Sequence, residues 1–503
     1  MSSTTAPEEA IDRKLLAVAS VVVLGAVMSI LDTTVVNVAI NTLGRDFNTS
    51  LSTIQWIVTG YTLALATVIP VTGWAADRFG TKRLYMLSIA LFLAGSALSG
   101  SAWSAGSLIA FRVLQGLGGG MLMPAGMTIL TRAAGPQRVG RVMAIIGVPM
   151  LLGPILGPIL GGWLVDAVSW RWIFFINLPI GVIALLCSLR ILPKDTPQPA
   201  HRFDALGLFL LSPGLALLIY GLAQSSSSGG FGSAKVIVPA LAGVILLAVF
   251  IRHALHTPDA LIDLRLFTNR TFAAAAGTLI LMVISVFGAM LLLPLYFQAV
   301  RGESALQSGL LLAPQGLGAM IAMPIAGQLT DRTGVGRIVL VGLSLVAVST
   351  LALTQLAGDT SYWALSAALV VMGMGMGSSM MPLMSGAMQT LRRAQVARAS
   401  TALNIIQQVG ASIGTAVMSV ILIDALKARL PGAPAGGGLG SSGHGLPARI
   451  RDLMAGAFAH TYWYALGLLA LALFAALMLP RRKPEPIEDE EADGTAAPVL
   501  MHA

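Results

Sequence analysis

The chain has 503 residues, of which 56% are hydrophobic and only 11% are charged. Globular proteins carry roughly 25% charged residues, so a soluble core does not explain this composition and much of the apolar surface must face lipid. The net charge of +9 does not indicate nucleic-acid binding, because the basic residues are concentrated on one side of a series of apolar segments.

Fourteen apolar segments each supply about 20 residues, the length that a helix needs to cross a hydrocarbon layer roughly 30 Å thick. The predicted spans are 15–40, 52–73, 84–101, 107–130, 142–165, 173–192, 205–224, 236–252, 272–297, 306–328, 338–357, 363–385, 401–424 and 459–480. Backbone amides in lipid must be satisfied within each segment, which favours helices over barrel strands. The predicted fold class is an all-α polytopic membrane protein.

Lys and Arg residues cluster at the two ends of the chain and in the connections that follow even-numbered spans, for example Arg78, Arg83 and Arg132. Basic residues are retained on the cytoplasmic side of membranes. The pattern predicts a multi-pass protein of the cell inner (plasma) membrane with both termini in the cytoplasm.

An internal repeat links two of these connections. Gly73–Arg83 and Gly327–Arg337 both have the form G-x-x-x-D-R-x-G followed by a basic residue. These residues either cap helices and anchor to headgroups or form a conformational gate, and the second copy favours the gate. The gate residues are Gly73, Asp77, Arg78, Gly80, Arg83, Asp331 and Arg332.

The repeat is displaced by eight helices, which predicts two six-helix halves with two helices inserted between them. The expected divisions are an N-terminal bundle over 1–200, inserted helices over 201–257, and an interfacial segment with the C-terminal bundle over 258–480. Residues 481–503 are acidic and rich in Pro and Ala, which predicts a disordered cytoplasmic tail.

Asp32 and Arg112 are the two charged residues in the interior of the predicted spans, away from the span ends. A carboxylate at a helix centre costs about 2.5–3.5 kcal/mol on insertion scales, so it requires a role. Asp32 either loads and releases a proton or is held in a permanent ion pair that fixes helix packing. At about 1.5 Å per residue, Arg112 reaches a similar depth and is the expected partner, with Gln115 on the same helix face.

The fifth span carries small residues and prolines at regular spacing, namely Gly153, Pro154, Gly157, Pro158, Gly161 and Gly162. Small residues allow close helix approach and prolines bend a helix, so this span acts as a packing surface, a hinge for alternating access, or both. Polar side chains that could line a substrate cavity are Gln115, Tyr61, Gln315, Asn404 and Gln408. For Asn404 and Gln408, an interhelical hydrogen bond is an equal alternative.

No phosphate-binding loop of the form G-x-x-x-x-G-K-[ST] occurs, which argues against ATP hydrolysis by this chain. Cys187 is the single cysteine and no cluster typical of a metal site or a membrane enzyme is present in the sequence. We therefore expect neither an enzyme nor a bound metal.

Five segments together resemble the major facilitator superfamily, in particular its fourteen-helix drug:proton antiporter branch of EmrB/QacA-like multidrug efflux transporters. They are Leu31–Ala39 of the first helix, the loop Gly73–Arg83, Arg112–Gly118 of the fourth helix, Gly153–Gly162 of the fifth, and Trp170–Gly181. The resemblance implies a major facilitator fold of two six-helix bundles plus two inserted helices.

The resemblance further implies export of amphipathic small molecules against proton entry, with Asp32 and Arg112 in the coupling and the proton gradient, not a cofactor, as energy source. Membrane lipid is the expected surrounding partner, and some relatives use a periplasmic adaptor in double-membrane organisms. Two alternatives stay open: a dedicated exporter of one metabolite, lipid or antibiotic, and a sensor or scaffold that transports nothing.

Overall fold

The structure is a computed structural model. It describes residues 12–49, 51–134, 153, 156–157, 159–165, 167–194, 203–224, 231–257, 260–303, 305–389, 391, 395–430 and 447–481. Throughout these ranges the regular structure is helical, and thirteen helices are long and apolar enough to cross a membrane. The predicted all-helical fold class is confirmed.

The helices are numbered in chain order. They are α1 (Arg13–Asp46), α2 (Leu51–Phe79), α3 (Thr81–Gly100), α4 (Ala105–Ala134), α5 (Trp172–Phe175), α6 (Asn177–Ile191), α7 (Ala205–Ala223), α8 (Ala234–His256), α9 (Arg270–Ala299), α10 (Ala305–Thr333), α11 (Val335–Leu353), α12 (Tyr362–Gln389), α13 (Val396–Arg429) and α14 (Ala448–Ala476). The short α5 and α6 together form one span, from Trp172 to Ile191.

The predicted fifth span, 142–165, lies largely outside the described residues, and those described between 153 and 165 are helical. Most of the predicted tail, 482–503, also lies outside them. The predicted interfacial segment contains a 3-10 helix, Leu264–Thr268. Its apolar side chains Leu261, Ile262 and Leu266 are buried against the protein, whereas Phe267 is partly exposed, so one side of the segment packs on the bundle.

The repeat has the same backbone geometry in both halves. Gly80 separates α2 from α3 and Gly334 separates α10 from α11, and both residues have φ of 92°. Residues with a side chain rarely adopt this conformation, which explains why the last position of each G-x-x-x-D-R-x-G motif is glycine. We call the end of the bundle that carries Arg78, Arg83 and Arg132 the basic end and the opposite one the far end.

Glycines on α4 bring two neighbouring helices into backbone contact. A methyl group on Gly116 would lie 2.5 Å from Tyr61 O of α2, and one on Gly118 would lie 2.7 Å from Ser88 O of α3. In the second half, a methyl group on Gly375 of α12 would lie 2.6 Å from Gly342 O of α11. Small residues at helix crossings permit this approach in membranes.

The inserted helices α7 and α8 pack against each other, and α7 also contacts α2 and α13. Ser212 on α7 donates a hydrogen bond to Thr67 O (2.6 Å), and Tyr220 stacks on Trp56 with ring centroids 5.7 Å apart. α8 is the more peripheral helix, because its buried residues are Val236, Gly243, Phe250 and Ala254 alone among its 23. The proposed divisions at residues 200 and 257 stay a prediction.

The two halves touch at the basic end. Thr131 Oγ1 on α4 lies 3.3 Å from Met388 Sδ on α12, and Ser400 on α13 donates to Pro124 O on α4 (3.2 Å). Both contacts join residues more than 250 positions apart in the chain. The two halves are therefore in contact near this end.

Gly118→Ala tests the close packing of α4 against α3. Alanine raises helix propensity by about 1 kcal/mol over glycine, but its methyl group meets the α3 backbone and overpacking costs about 1–3 kcal/mol. We expect a lower melting temperature than wild type in detergent. Gly467→Ala is the matched control, because no atom lies within 4 Å of its added methyl group. An equal or higher melting temperature for Gly118→Ala would contradict the packing account.

Candidate functional site

Asp32 on α1 and Arg112 on α4 form an ion pair in the interior of the first half. Arg112 Nη1 donates to Asp32 Oδ2 at 2.5 Å, and each residue is only 1% exposed. Two ions removed from water are stable only if further hydrogen bonds satisfy their remaining polar atoms. The surrounding residues supply those bonds.

Gln115 joins both members of the ion pair through its amide. It donates from Nε2 to Asp32 Oδ1 (2.8 Å) and accepts at Oε1 from Arg112 Nη1 (2.8 Å). Gln115 lies three positions after Arg112, so both side chains project from the same face of α4. The structure therefore brings the three sequence-predicted residues into one closed network.

Asn177 is a further member of this network. Its Nδ2 donates to Asp32 Oδ1 (3.1 Å) and lies 3.1 Å from Ser96 Oγ on α3, while Ser96 donates to Phe174 O (2.8 Å). Asn177 Oδ1 is buried and has no hydrogen-bond partner among the described residues. Sequence reasoning placed Asn177 in the Trp170–Gly181 motif without assigning it to the carboxylate, and that motif was the available signal.

Aromatic rings enclose the guanidinium. Arg112 Cζ lies 4.1 Å from the ring centroid of Tyr61 on α2 and 5.7 Å from that of Phe174. Arg112 Nε also donates to Ile57 O (3.4 Å). Rings stabilise a cation by electrostatic attraction while excluding water. The pair is thus surrounded by six helices, α1 to α6.

Glycine positions allow this convergence. An added methyl group on Gly95 of α3 would lie 2.6 Å from the Cα of Gln115, so α3 and α4 touch at the level of the network. On α1, the residues that flank Asp32 meet glycines of the fifth span. Helices on both sides of the ion pair can therefore approach it closely.

Three glycines of the fifth span contact α1 directly. A methyl group on Gly153 would overlap Ile30, one on Gly157 would overlap Thr34, and one on Gly161 would lie 3.0 Å from Val35. Thr34 also donates to Gly153 O (3.2 Å), whereas a methyl group added to Gly162 would have no atom within 4 Å. Pro154 and Pro158 lie outside the described residues.

The predicted gate residues are at the basic end. Asp77 is buried and pairs with Arg132 of α4 at 3.2 Å, and Arg132 also donates to Thr81 (3.1 Å). Arg78, Arg83 and Arg332 have exposed side chains, and the Asp331 side chain lies outside the described ones. Gly73 is buried within α2. From the sequence, Arg132 is recognised as a basic residue that follows an even-numbered span, but not as the partner of Asp77.

The residues predicted to line a substrate cavity lie in separate places. Tyr61 and Gln115 belong to the network around Asp32. Gln315 is buried with its Nε2 3.1 Å from Met376 Sδ, between α10 and α12. Asn404 donates to Ser400 O of its own helix, and Gln408 lines a small gap between α2, α7 and α13.

A double-mutant cycle tests whether Arg112 compensates the free-energy cost of burying the Asp32 carboxylate. Arg112→Met leaves an unpaired buried carboxylate, and breaking a buried pair costs about 3–5 kcal/mol. Adding Asp32→Asn removes that charge, so we expect the double variant to melt above Arg112→Met alone. Thermal unfolding of purified protein in lipid discs measures the difference. A double variant no more stable than Arg112→Met would contradict the account.

Comparison with known proteins identifies the family. A family model for the major facilitator superfamily matches residues 22–415. The chain is 47% identical to the multidrug resistance protein B homolog of Mycobacterium tuberculosis (H37Rv), over 94% of this chain and 91% of that protein. It is 33% identical to the multidrug export protein EmrB of Haemophilus influenzae, over 78% of each chain.

The fold comparison agrees. The proton:xylose symporter XylE superposes with a TM-score of 0.63 over 95% of this chain and 98% of that one, at 13% sequence identity, which is a likeness of fold alone. The predicted resemblance is confirmed. The chain belongs to the major facilitator superfamily, a family of membrane transporters and not of enzymes.

Proposed function

We propose that this protein exports amphipathic small molecules across the cytoplasmic membrane by antiport with protons. The observation that carries the proposal is the buried Asp32–Arg112 ion pair, closed by Gln115 and Asn177. The names of two relatives, a multidrug resistance protein B homolog and a multidrug export protein, support drug-like substrates.

The proton-coupling step follows from charge balance at Asp32. While the carboxylate is ionised, it satisfies the guanidinium of Arg112. Arginine keeps its proton in proteins, so a proton that enters the network must go to Asp32. The neutral acid no longer balances Arg112, which weakens the attraction between α1 and α4 and changes the relative stability of the transporter's conformations.

Among the described residues, the second half shows no equivalent buried pair. The position that corresponds to Arg112 is Val370, and the one that corresponds to Gln115 is Gly373, whose backbone is packed against Gln315 O. Coupling through a single carboxylate predicts one proton per cycle, and each charge moved supplies about 2.3 kcal/mol per 100 mV. The N-terminal half is then the coupling half.

The contacts at the basic end support a closed gate in this conformation. Asp77 pairs with Arg132 on the helix that also carries Arg112, and Thr131, next to Arg132, meets Met388 of the other half. With the basic end in the cytoplasm, as the distribution of Lys and Arg predicts, the structure corresponds to a transporter closed on its cytoplasmic side. Export requires this contact to open and re-form in each cycle.

Proton release from inside-out membrane vesicles tests the coupling. Vesicles are energised to an acid interior, and amphipathic compounds are added to wild type and to Asp32→Asn. We expect at least one compound to release protons from wild-type vesicles and none to do so with Asp32→Asn, because an amide cannot exchange a proton.

Asp424→Asn is the matched control, since Asp424 is 67% exposed at the far end of α13 and outside the network. It should retain the wild-type response. A response from Asp32→Asn equal to wild type would assign a structural role to Asp32. Silence of well-folded wild type across a broad panel would favour a dedicated exporter or a non-transporting protein.

Cross-linking the basic end tests alternating access. In a Cys187→Ser background, Thr131→Cys with Met388→Cys joins the halves when treated with a short bifunctional thiol reagent. We expect export to stop on cross-linking, because the contact at the basic end cannot then open. Ser349→Cys with Ala368→Cys, a contact within the second half, is the matched control and should leave export intact. Export that continues after complete cross-linking would contradict the gate.

A further inference from the structure

A cavity of about 380 Å³ lies between the inserted helix α7 and both halves of the transporter. We call it the seam cavity. It is lined by α2, α7, α9 and α13, through residues that include Thr59, Thr62, Ile219, Leu295, Thr415 and Ser419. Its volume falls within the roughly 300–1,000 Å³ of small-molecule sites.

The seam cavity is distinct from the Asp32 network. Ile57 and Tyr61 of α2 contact Arg112, whereas Val58 and Thr62, each one position further along, line the cavity. Successive side chains of a helix point about 100° apart, so Tyr61 and Thr62 project from different faces. α2 therefore separates the charged network from the cavity.

The inserted helix completes the wall of this cavity. Ile219, Leu222 and Ala223 of α7 line it, and neighbouring contacts hold α7 on α2. Tyr220 stacks on Trp56, and Ser212 donates to Thr67 O (2.6 Å) about two turns away along α7. Without α7 the cavity would lack one side.

The lining chemistry selects for ligands without charge. Among the lining side chains that the structure describes, none is ionisable and most are apolar. Thr62 donates to Val58 O (3.0 Å), Ser412 to Gln408 O (3.0 Å) and Thr415 to Ala411 O (3.0 Å). A hydroxyl that has given its proton to its own helix still offers lone pairs, so these three groups can accept hydrogen bonds.

We propose that the seam cavity is a binding site for neutral, mainly apolar molecules that carry a hydroxyl or amide N–H donor. A charged ligand would find no counter-charge there and its desolvation would be uncompensated. Within the proposed function, the occupants of this site are the exported molecules. That assignment rests on the proposed function.

Photolabelling of the full chain in lipid discs tests the site. The probe is 3-azioctanol, an apolar alcohol with a photoreactive diazirine, and labelled peptides are mapped by mass spectrometry. We expect saturable labelling on α2, α7, α9 and α13. Ala416→Phe fills the cavity and should reduce labelling roughly tenfold, the equivalent of about 1.4 kcal/mol. Ala364→Phe, at an exposed position of α12, is the matched control and should label as wild type.

A second variant tests the site without adding side-chain volume to the cavity. Thr62→Val with Thr415→Val removes two acceptors at nearly constant volume and should weaken labelling by about fivefold or more. Tetraphenylphosphonium, a charged amphipathic compound, should not displace the probe.

Labelling spread evenly over lipid-facing helices, unchanged by Ala416→Phe, or displaced by tetraphenylphosphonium would overturn the site. Labelling does not require transport, so Asp32→Asn should retain it. Loss of proton coupling with labelling intact would refute the proposed antiport and leave the site standing.

Discussion

The Asp32–Arg112 ion pair places two full charges where the bilayer offers no water, and the first half is arranged to tolerate them. Burying an ion costs several kcal/mol unless its partner and hydrogen bonds compensate. Here Gln115 bridges both ions, Asn177 adds a second amide to the carboxylate, and Tyr61 covers the guanidinium. Under the proposed antiport, one proton on Asp32 would remove the charge that balances Arg112.

Helix packing connects this pair to the rest of the molecule. Gly116 and Gly118 draw α2 and α3 onto α4, and the glycines of the fifth span contact α1 on both sides of Asp32. The halves share the glycine-ended loop at Gly80 and Gly334, but within the described ranges a buried ion pair is seen in the first half and not in the second. We infer a division of labour in which the first half senses the proton and both halves move.

Sequence reasoning predicted the membrane spans, which follow from the length of apolar segments, and the ion pair, which follows from the cost of burying a charge. Long apolar segments predict spans, and a charge inside a span requires a partner at equal depth, which identified Arg112 for Asp32. It did not assign Asn177 or Arg132, because their partners are 145 and 55 positions away and no local pattern encodes those contacts. The burial of Leu261 and Ile262 likewise depends on tertiary packing, because apolar residues in a connecting segment fit a membrane interface equally well.

Infrared difference spectroscopy of Asp32 tests the central claim most directly. The account predicts that acidification of wild-type protein in lipid produces the carbonyl band of a protonated carboxylic acid, and that Asp32→Asn lacks this band. Addition of an exported compound should change its intensity. Identical spectra for wild type and Asp32→Asn, over the pH range in which the protein transports, would contradict protonation of Asp32 during the cycle.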